Sequence, residues 1–195
     1  MIGNINGYRL VLASNSPRRQ ELLHDMGYAF DVVVKRGIDE AFPKTMSVHD
    51  VPEFLAKKKA EAYTDVMSDG QTLLLTSDTV VILDGVILGK PSSADEARKM
   101  LKSLSGRVHD VVSGVALTTV DWQRSFSDLT KVRMRSFSDD IIDYYVENYK
   151  PFDKAGAYGI QEWIGLVGIN SIEGSYHNVM GLPTQRLFDE LRTIR

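Results

Sequence analysis

The stretch Leu73-Leu74-Leu75-Thr76-Ser77-Asp78-Thr79-Val80-Val81-Ile82-Leu83-Asp84-Gly85-Val86-Ile87-Leu88 decides the fold class. Its leucine and β-branched composition reads as a long strand over Leu73–Leu83, and Asp84-Gly85 is a hairpin signal into a second strand, Val86–Leu88. Outside this hairpin, strand-like and helical segments alternate, which requires crossover connections. On the N-terminal side, Tyr8–Ala13 reads as a strand and residues from about Pro17 to Met26 as a helix stopped by Gly27. Phe30–Val34 is strand-like. Asp50 with Glu53 is a capping-box pattern opening a helix that turns Phe54, Leu55, Ala62 and Val66 inward. On the C-terminal side, Ser93 with Glu96 repeats the pattern, and Ala97, Met100, Leu101 and Leu104 follow at helical spacing until Gly106. Val108–Val120 and roughly Phe126–Phe137 read as strands, the second alternating Lys131, Arg133 and Arg135 with Val132 and Met134. Asp139–Tyr149 is helical, with Pro151 just beyond. A Gly-rich stretch from Ala155 to Gly181 precedes a terminal amphipathic helix carrying Leu187, Phe188 and Leu191. Hairpins together with helical crossovers predict an α/β fold: a mixed, twisted sheet flanked by helices.

Composition narrows the functional classes. The 195 residues are 43% hydrophobic and 25% charged, ordinary values for a globular chain able to bury a sizeable core. The longest apolar runs fall far short of the roughly 18 residues of a spanning helix. Met1 to Leu10 lacks a basic stretch followed by an apolar one, so no signal peptide is expected and the expected compartment is the cytoplasm. The absence of cysteine removes disulfides, thiol nucleophiles and thiolate metal sites. His24, His49, His109 and His177 are too dispersed for a zinc signature. A formal net charge of -3 argues against nucleic acid or an anionic membrane as partner, so any anion site must be local.

Five segments offer local chemistry. Ser14-Asn15-Ser16-Pro17-Arg18-Arg19 follows an apolar strand and opens a helix, where Pro suits the first position and free N–H groups favour an anion. Ser14 and Ser16 add hydroxyls, while Arg18 and Arg19 add bidentate donors. A capped helix with solvated arginines is the plainer reading. In Thr76-Ser77-Asp78-Thr79, a carboxylate lies among apolar neighbours. Either a metal, an arginine or catalysis offsets its burial, or it is exposed at a strand edge or bulge. Gly89-Lys90-Pro91 offers a close turn and a point charge for phosphate, or simply a solvated lysine. Asp39-Glu40, after Gly37, supplies carboxylates suited to a hard cation such as Mg²⁺, or forms an acidic loop. In Asp153–Gln161, small residues at Ala155, Gly156, Ala157 and Gly159 admit a close ligand, and the Gln161 amide can read the edge of a base. A tight, ligand-free loop is the alternative. The set of groups suits a triphosphate with a metal, but no single fragment specifies a reaction.

Taken in order, these segments resemble the Maf family of nucleoside triphosphate pyrophosphatases. The resemblance runs through Leu12–Leu23, Ser77–Val81, Gly89-Lys90-Pro91, Ser105-Gly106-Arg107-Val108-His109, Asp153–Gln161 and Ile172–Pro183, nearly the whole chain. It implies one domain over residues 1–195, with two lobes around a deep cleft similar to inosine triphosphatase-like folds, and a homodimer. It implies cleavage between the α and β phosphates, giving a monophosphate and pyrophosphate with a divalent cation, Mg²⁺ or Mn²⁺. Asp78 then matches the general base, and Glu40 and Asp78 the metal ligands. Ser14, Arg18, Arg19, Lys59 and Lys90 match phosphate-binding positions. The Ala-Gly-Ala-Tyr-Gly-Ile-Gln form of the fifth of these motifs resembles the branch that cleaves dTTP and UTP, with Arg18, Thr79 and Gln161 at the positions tied to that preference. Modified pyrimidine nucleotides are a further expected substrate class.

Two residues depart from the family pattern. Glu162, followed by Trp163, stands where Gly is usual, which reshapes or narrows the base pocket, and Ser77 stands where Ala is more common. The family's association with septum formation supplies a second reading, a nucleotide-binding regulator of cell division without turnover. Asp78, Lys90 and both arginines are retained, which favours catalysis over binding alone.

Overall fold

The computed structural model of the protein describes residues 5–194. The expectation of no leader rests partly on residues 1–4, which lie outside them. The described residues form a seven-stranded sheet. Its strands are β1 (Arg9–Leu12), β2 (Asp31–Val32), β3 (Thr72–Leu83), β4 (Val86–Leu88), β5 (Val108–Thr118), β6 (Gln123–Met134) and β7 (Ile169–Glu173). They run in the order β2-β1-β3-β5-β6-β7, with β4 on β3. β1 pairs in parallel with β2 and β3, whereas β4 on β3 and β7 on β6 are antiparallel. The sheet is therefore mixed. The helices are α1 (Pro17–Asp25), α2 (Val51–Glu61), α3 (Ala94–Leu104), α4 (Asp139–Tyr149), α5 (Trp163–Gly168), α6 (Tyr176–Met180) and α7 (Thr184–Arg192). No helix among the described residues is long and apolar enough to cross a membrane.

The chain divides into two compact units. The first contains the residues up to Asp78, Ser113–Asp128 and the segment from Gly181 onward. Part of its core is Val11 and Leu74 from adjacent strands packed with Ala60, Tyr63 and Met67. Gly114 on β5 is needed here. A Cβ at that position would lie 2.2 Å from the backbone of Pro52 and Glu53, so the first turn of α2 rests directly on the strand. The second unit contains Thr79–Val112 and Leu129–Met180. Its core joins Val81 and Leu83 to Ala97, Leu101 and Leu104 of α3, Ile142, Tyr145 and Val146 of α4, and Val132 and Met134 of β6. His109 is buried in this unit, with Nε2 2.7 Å from the Tyr158 hydroxyl.

Several sequence expectations are corrected. The helix at Asp50 forms, but Asp50 makes no side-chain cap. Glu53 instead accepts from Ser125 Oγ at 2.7 Å, a tertiary bond that competes with the local box. The inward face of α2 is Val51, Pro52, Leu55, Ala56 and Ala60; Phe54 is only partly buried, and Ala62 and Val66 do pack against the core, as expected, but from beyond the last helical residue. At Ser93 the cap is made, its Oγ accepting from the Glu96 N–H at 3.2 Å, while the Glu96 carboxylate turns to Ser92. Phe30–Val34 yields only the two-residue β2, both residues exposed. The Gly-rich stretch folds further than its composition suggests, into a 3-10 turn at Ala155–Ala157 and into α5, β7 and α6.

Replacing Gly114 with Ala forces its Cβ into α2 backbone, and urea unfolding should show a loss of about 2–3 kcal/mol. Gly89→Ala, whose Cβ would meet nothing within 4 Å, should lose no more than about 0.5 kcal/mol. Burial lowers the His109 imidazole from 6.5 to about 4, against a smaller opposing pull from Asp110. The folded state thus holds His109 neutral, and its contribution is complete above 6.5 and lost as pH falls towards 4. That contribution amounts to about 3 kcal/mol at most. The urea midpoint of His109→Gln should therefore fall less steeply over this range than that of the wild-type protein.

Candidate active site

In the first unit, β1 delivers the chain into α1 through Ser14-Asn15-Ser16. Ser14 is buried, and its Oγ accepts from the Ser16 N–H at 3.2 Å and from Arg19 Nη1 at 3.4 Å. Pro17 occupies the opening of α1, and the N-cap Ser16 makes no side-chain cap. Arg19 Nε donates to the carbonyl of Gly181 at 2.8 Å, and Ser77 Oγ reaches the same oxygen at 3.5 Å. Loss of hydration lowers the Arg19 guanidinium below its ordinary value. Asp78 pulls it back up, Arg18 pushes it further down, and Glu40 raises it. The two arginines thus share a field with two carboxylates.

Asp78 is not the exposed edge residue that one sequence reading allowed. Its side chain is only 15% exposed, and Oδ1 accepts from Lys59 Nζ at 2.5 Å. The same ammonium lies 2.9 Å from Glu40 Oε1, whose side chain is 60% exposed. Lys59, in the last turn of α2, therefore sits as a cation between two carboxylates that come from a loop and a strand. Asp39, next to Glu40, turns away to Lys58 Nζ at 2.7 Å. Lys58 and the Ala41 N–H hold its carboxyl below the usual range. The acidic pair thus splits, and only Glu40 joins Asp78.

This donor set suits a hard divalent cation. Mg²⁺ is commonly bound through one or two carboxylates with substrate phosphates and water completing its shell, and Glu40 and Asp78 already converge on one cationic atom. Among the described residues no group of three or more His, Cys, Asp or Glu forms a metal cluster, so the protein offers a two-carboxylate site rather than a closed cage.

In the second unit, Thr79 continues β3 and is partly buried, while Lys90 is exposed. The Gly89 carbonyl before Lys90 accepts from the Gly156 N–H at 3.1 Å, which ties the lysine turn to the 3-10 turn. Gly156 takes φ 66° and packs on Val81, where a Cβ would come within 3.0 Å of both methyls. Gln161 follows this turn. Its Oε1 is buried without a hydrogen-bond partner. A buried amide oxygen left unpaired is costly, and a ligand donor is one means of satisfying it.

Around Gln161 is a network that sequence reading missed. Lys154, with a side chain 9% exposed, places Nζ 2.6 Å from Asp153 Oδ1 and 3.0 Å from Glu162 Oε1. Tyr145, fully buried on α4, donates its hydroxyl to Glu162 Oε2 and accepts from the Gly159 N–H at 3.0 Å. Burial and the adjacent carboxylate both push the Tyr145 phenol up. Asp153, Lys154 and Glu162 were visible in the motif and its flank. Tyr145 gave no signal beyond an apolar helical position.

Comparison with known proteins gives a consistent picture. Residues 9–194 match the family Maf, described as Maf-like protein. A dTTP/UTP pyrophosphatase of Phocaeicola vulgatus is 52% identical over 194 residues, covering 100% of both chains. Those of Bacteroides thetaiotaomicron and Porphyromonas gingivalis are 47% and 49% identical, the former over 100% of both chains and the latter over 98% of this chain and 97% of its own. A solved HAM1 protein from Coxiella burnetii is 17% identical with a TM-score of 0.46, covering 95% of this chain and 98% of its own, a likeness too slight to carry an argument. On the family match over 9–194 and the full-length relatives, the chain belongs to the Maf family.

Proposed function

We propose that the protein is a nucleoside triphosphate pyrophosphatase acting on dTTP and UTP, and on modified pyrimidine nucleotides of the same hydrogen-bonding pattern. Its relatives carry the name dTTP/UTP pyrophosphatase over their full length. The observation that carries the chemical reading is the Lys59 ammonium held between Glu40 and Asp78, in the unit that also contains Ser14, Arg18 and Arg19.

In the proposed reaction a water oxygen forms a bond to the α-phosphorus while the bond to the bridging oxygen of the β-phosphate breaks. Asp78 takes the proton from that water, and pyrophosphate leaves. Ser14, Arg18, Arg19, Lys59 and Lys90 bind the phosphate oxygens and stabilise the charge that develops on the leaving group. Glu40 and Asp78 would hold a Mg²⁺ or Mn²⁺ ion, which when bound supplies charge neutralisation and orients phosphate oxygens. Thr79 and Gln161, with Arg18, set the base preference. Gln161 offers an N–H₂ to the O4 of thymine or uracil and a carbonyl to their N3–H, the pattern that cytosine reverses. The proposed working form is a homodimer in the cytoplasm, with one catalytic domain along residues 1–195.

Pyrophosphate release from a panel of canonical and modified triphosphates with Mg²⁺ or Mn²⁺ tests the reading. Release should be highest with dTTP and UTP. Asp78→Asn should keep nucleotide binding but cut turnover by a factor on the order of 10²–10⁴. Near-wild-type turnover in that variant would remove Asp78 as the base, and silence of the wild-type protein across the panel with tight binding retained would favour a binding role. Gln161→Ala should alter the ranking of bases more than the rate on the best substrate; an unaltered ranking would exclude Gln161 from base reading.

A further inference from the structure

From the network around Gly159 we infer that Glu162 is a specificity-positioning residue: together with Asp153 it holds the Lys154 ammonium, and so keeps Gln161 Oε1 unclaimed as the acceptor for an imide N3–H. The inference rests on the proposed pyrimidine triphosphate reading and deepens it.

The network is built on a buried cation. Lys154 is nine-tenths buried, and an ammonium in that setting must find acceptors. It has two, Asp153 at 2.6 Å and Glu162 at 3.0 Å. Asp153 is 58% exposed, so its hold is weakened by water, whereas Glu162 is 20% exposed and fixed from its other oxygen by the Tyr145 hydroxyl. Tyr145 is fixed in turn by the Gly159 N–H and by the core of α4.

The Gln161 amide lies in the same small space. A Cβ on Gly159 would fall 2.9 Å from Glu162 Cδ, 3.0 Å from Lys154 Cε and 3.1 Å from Gln161 Nε2. Three polar side chains thus converge over one glycine, and two of them are already bonded to each other. The third, Gln161, retains a buried oxygen with no partner. The Glu162 backbone cannot drift to relieve this arrangement. Its N–H donates to the Gly159 carbonyl at 3.0 Å, its carbonyl accepts from Gly165 at 2.9 Å, and a Cβ on Gly165 would lie 1.7 Å from the Ile160 oxygen.

Asp153 and Glu162 together hold two of the three N–H donors of the buried ammonium; removing the Glu162 carboxylate frees it to move within the small space that it shares with the Gln161 amide. Lys154 then takes that oxygen, and Gln161 can no longer distinguish an N3–H from the bare N3 of cytosine. Glu162 therefore acts on the substrate through Lys154 and Gln161, not by contact with the reacting atoms.

The test is steady-state hydrolysis of dTTP, UTP and dCTP by the full chain and three variants, each checked for folding by thermal melting. Glu162→Ala should raise KM for dTTP about tenfold, the scale of one lost hydrogen bond in a buried site. The effect on kcat should be much smaller, and the preference for dTTP over dCTP should fall by a similar factor. Glu162→Gln keeps the shape but not the charge, and should show the same loss of preference in smaller measure if Glu162→Ala does not fold. The decisive variant is Lys154→Met in the Glu162→Ala background, or in Glu162→Gln if needed, which removes the competing donor and should restore the preference for dTTP. A preference unaltered in the Glu162 variants overturns the inference, and so does a double variant no better than the single, the result expected of a merely structural residue. A wild-type protein that does not prefer dTTP and UTP to dCTP overturns the underlying pyrimidine reading instead, and the inference with it.

Discussion

The ion pair between Lys59 and Asp78 is the constraint around which the first unit is arranged. β3 pairs with β1 through Thr72–Leu75 and with β4 through Val81–Leu83, and Asp78 falls between these two stretches. A carboxylate placed there among leucines and valines is tolerable only if a cation reaches it. The cation comes from α2, whose position is set at its other end by the close approach to Gly114 and by the bond from Ser125 to Glu53. The same lysine draws in Glu40 from the loop. One charge requirement on a strand therefore fixes a helix and a loop, and leaves two carboxylates aimed at a single cationic point.

Much of this was legible in the sequence. The long strand with its Asp-Gly hairpin, the alternation of strands and helices, and the exact span Asp139–Tyr149 all follow from local pattern. The two capping-box departures have a common cause, which is competition for the glutamate carboxylate. Glu53 could not serve both a capping box and Ser125, and the long-range bond prevailed. Glu96 likewise left its box for Ser92, although Ser93 kept its half. β2 shortened because its pairing with β1 covers only Asp31 and Val32.

The stretch from Ala155 to Gly181 was opaque for a different reason. Its Gly-rich composition assigned no element to it, yet the glycines serve to let elements touch. Gly168 abuts Phe137, and Gly174 lies against Leu129 and Thr130, each closer than a Cβ would allow. α5 begins at Trp163, immediately after the Glu162 that the family pattern marks as unusual. Composition reports the presence of small residues, but whether they serve flexibility or close packing depends on partners distant in sequence.

The site residues divide along the same line. Ser14, Arg18, Arg19 and Asp78 could be suspected from their local setting, because a strand opening into a proline-started helix and a carboxylate in an apolar strand are each locally anomalous. Glu162 and Tyr145 are anomalous only together. Glu162, at the start of a short helix, stands out only against the family pattern, and Tyr145, on the buried face of α4, does not stand out at all. Together they hold the Lys154 ammonium from one side, next to a Gln161 amide whose oxygen has no partner. The two units thus handle buried polarity in opposite ways. In the first, the carboxylates are compensated internally by a lysine whose ammonium occupies a point suited to a metal. In the second, an acceptor is left unpaired beside a bonded network, which is the state that the proposed reading of an imide N3–H requires.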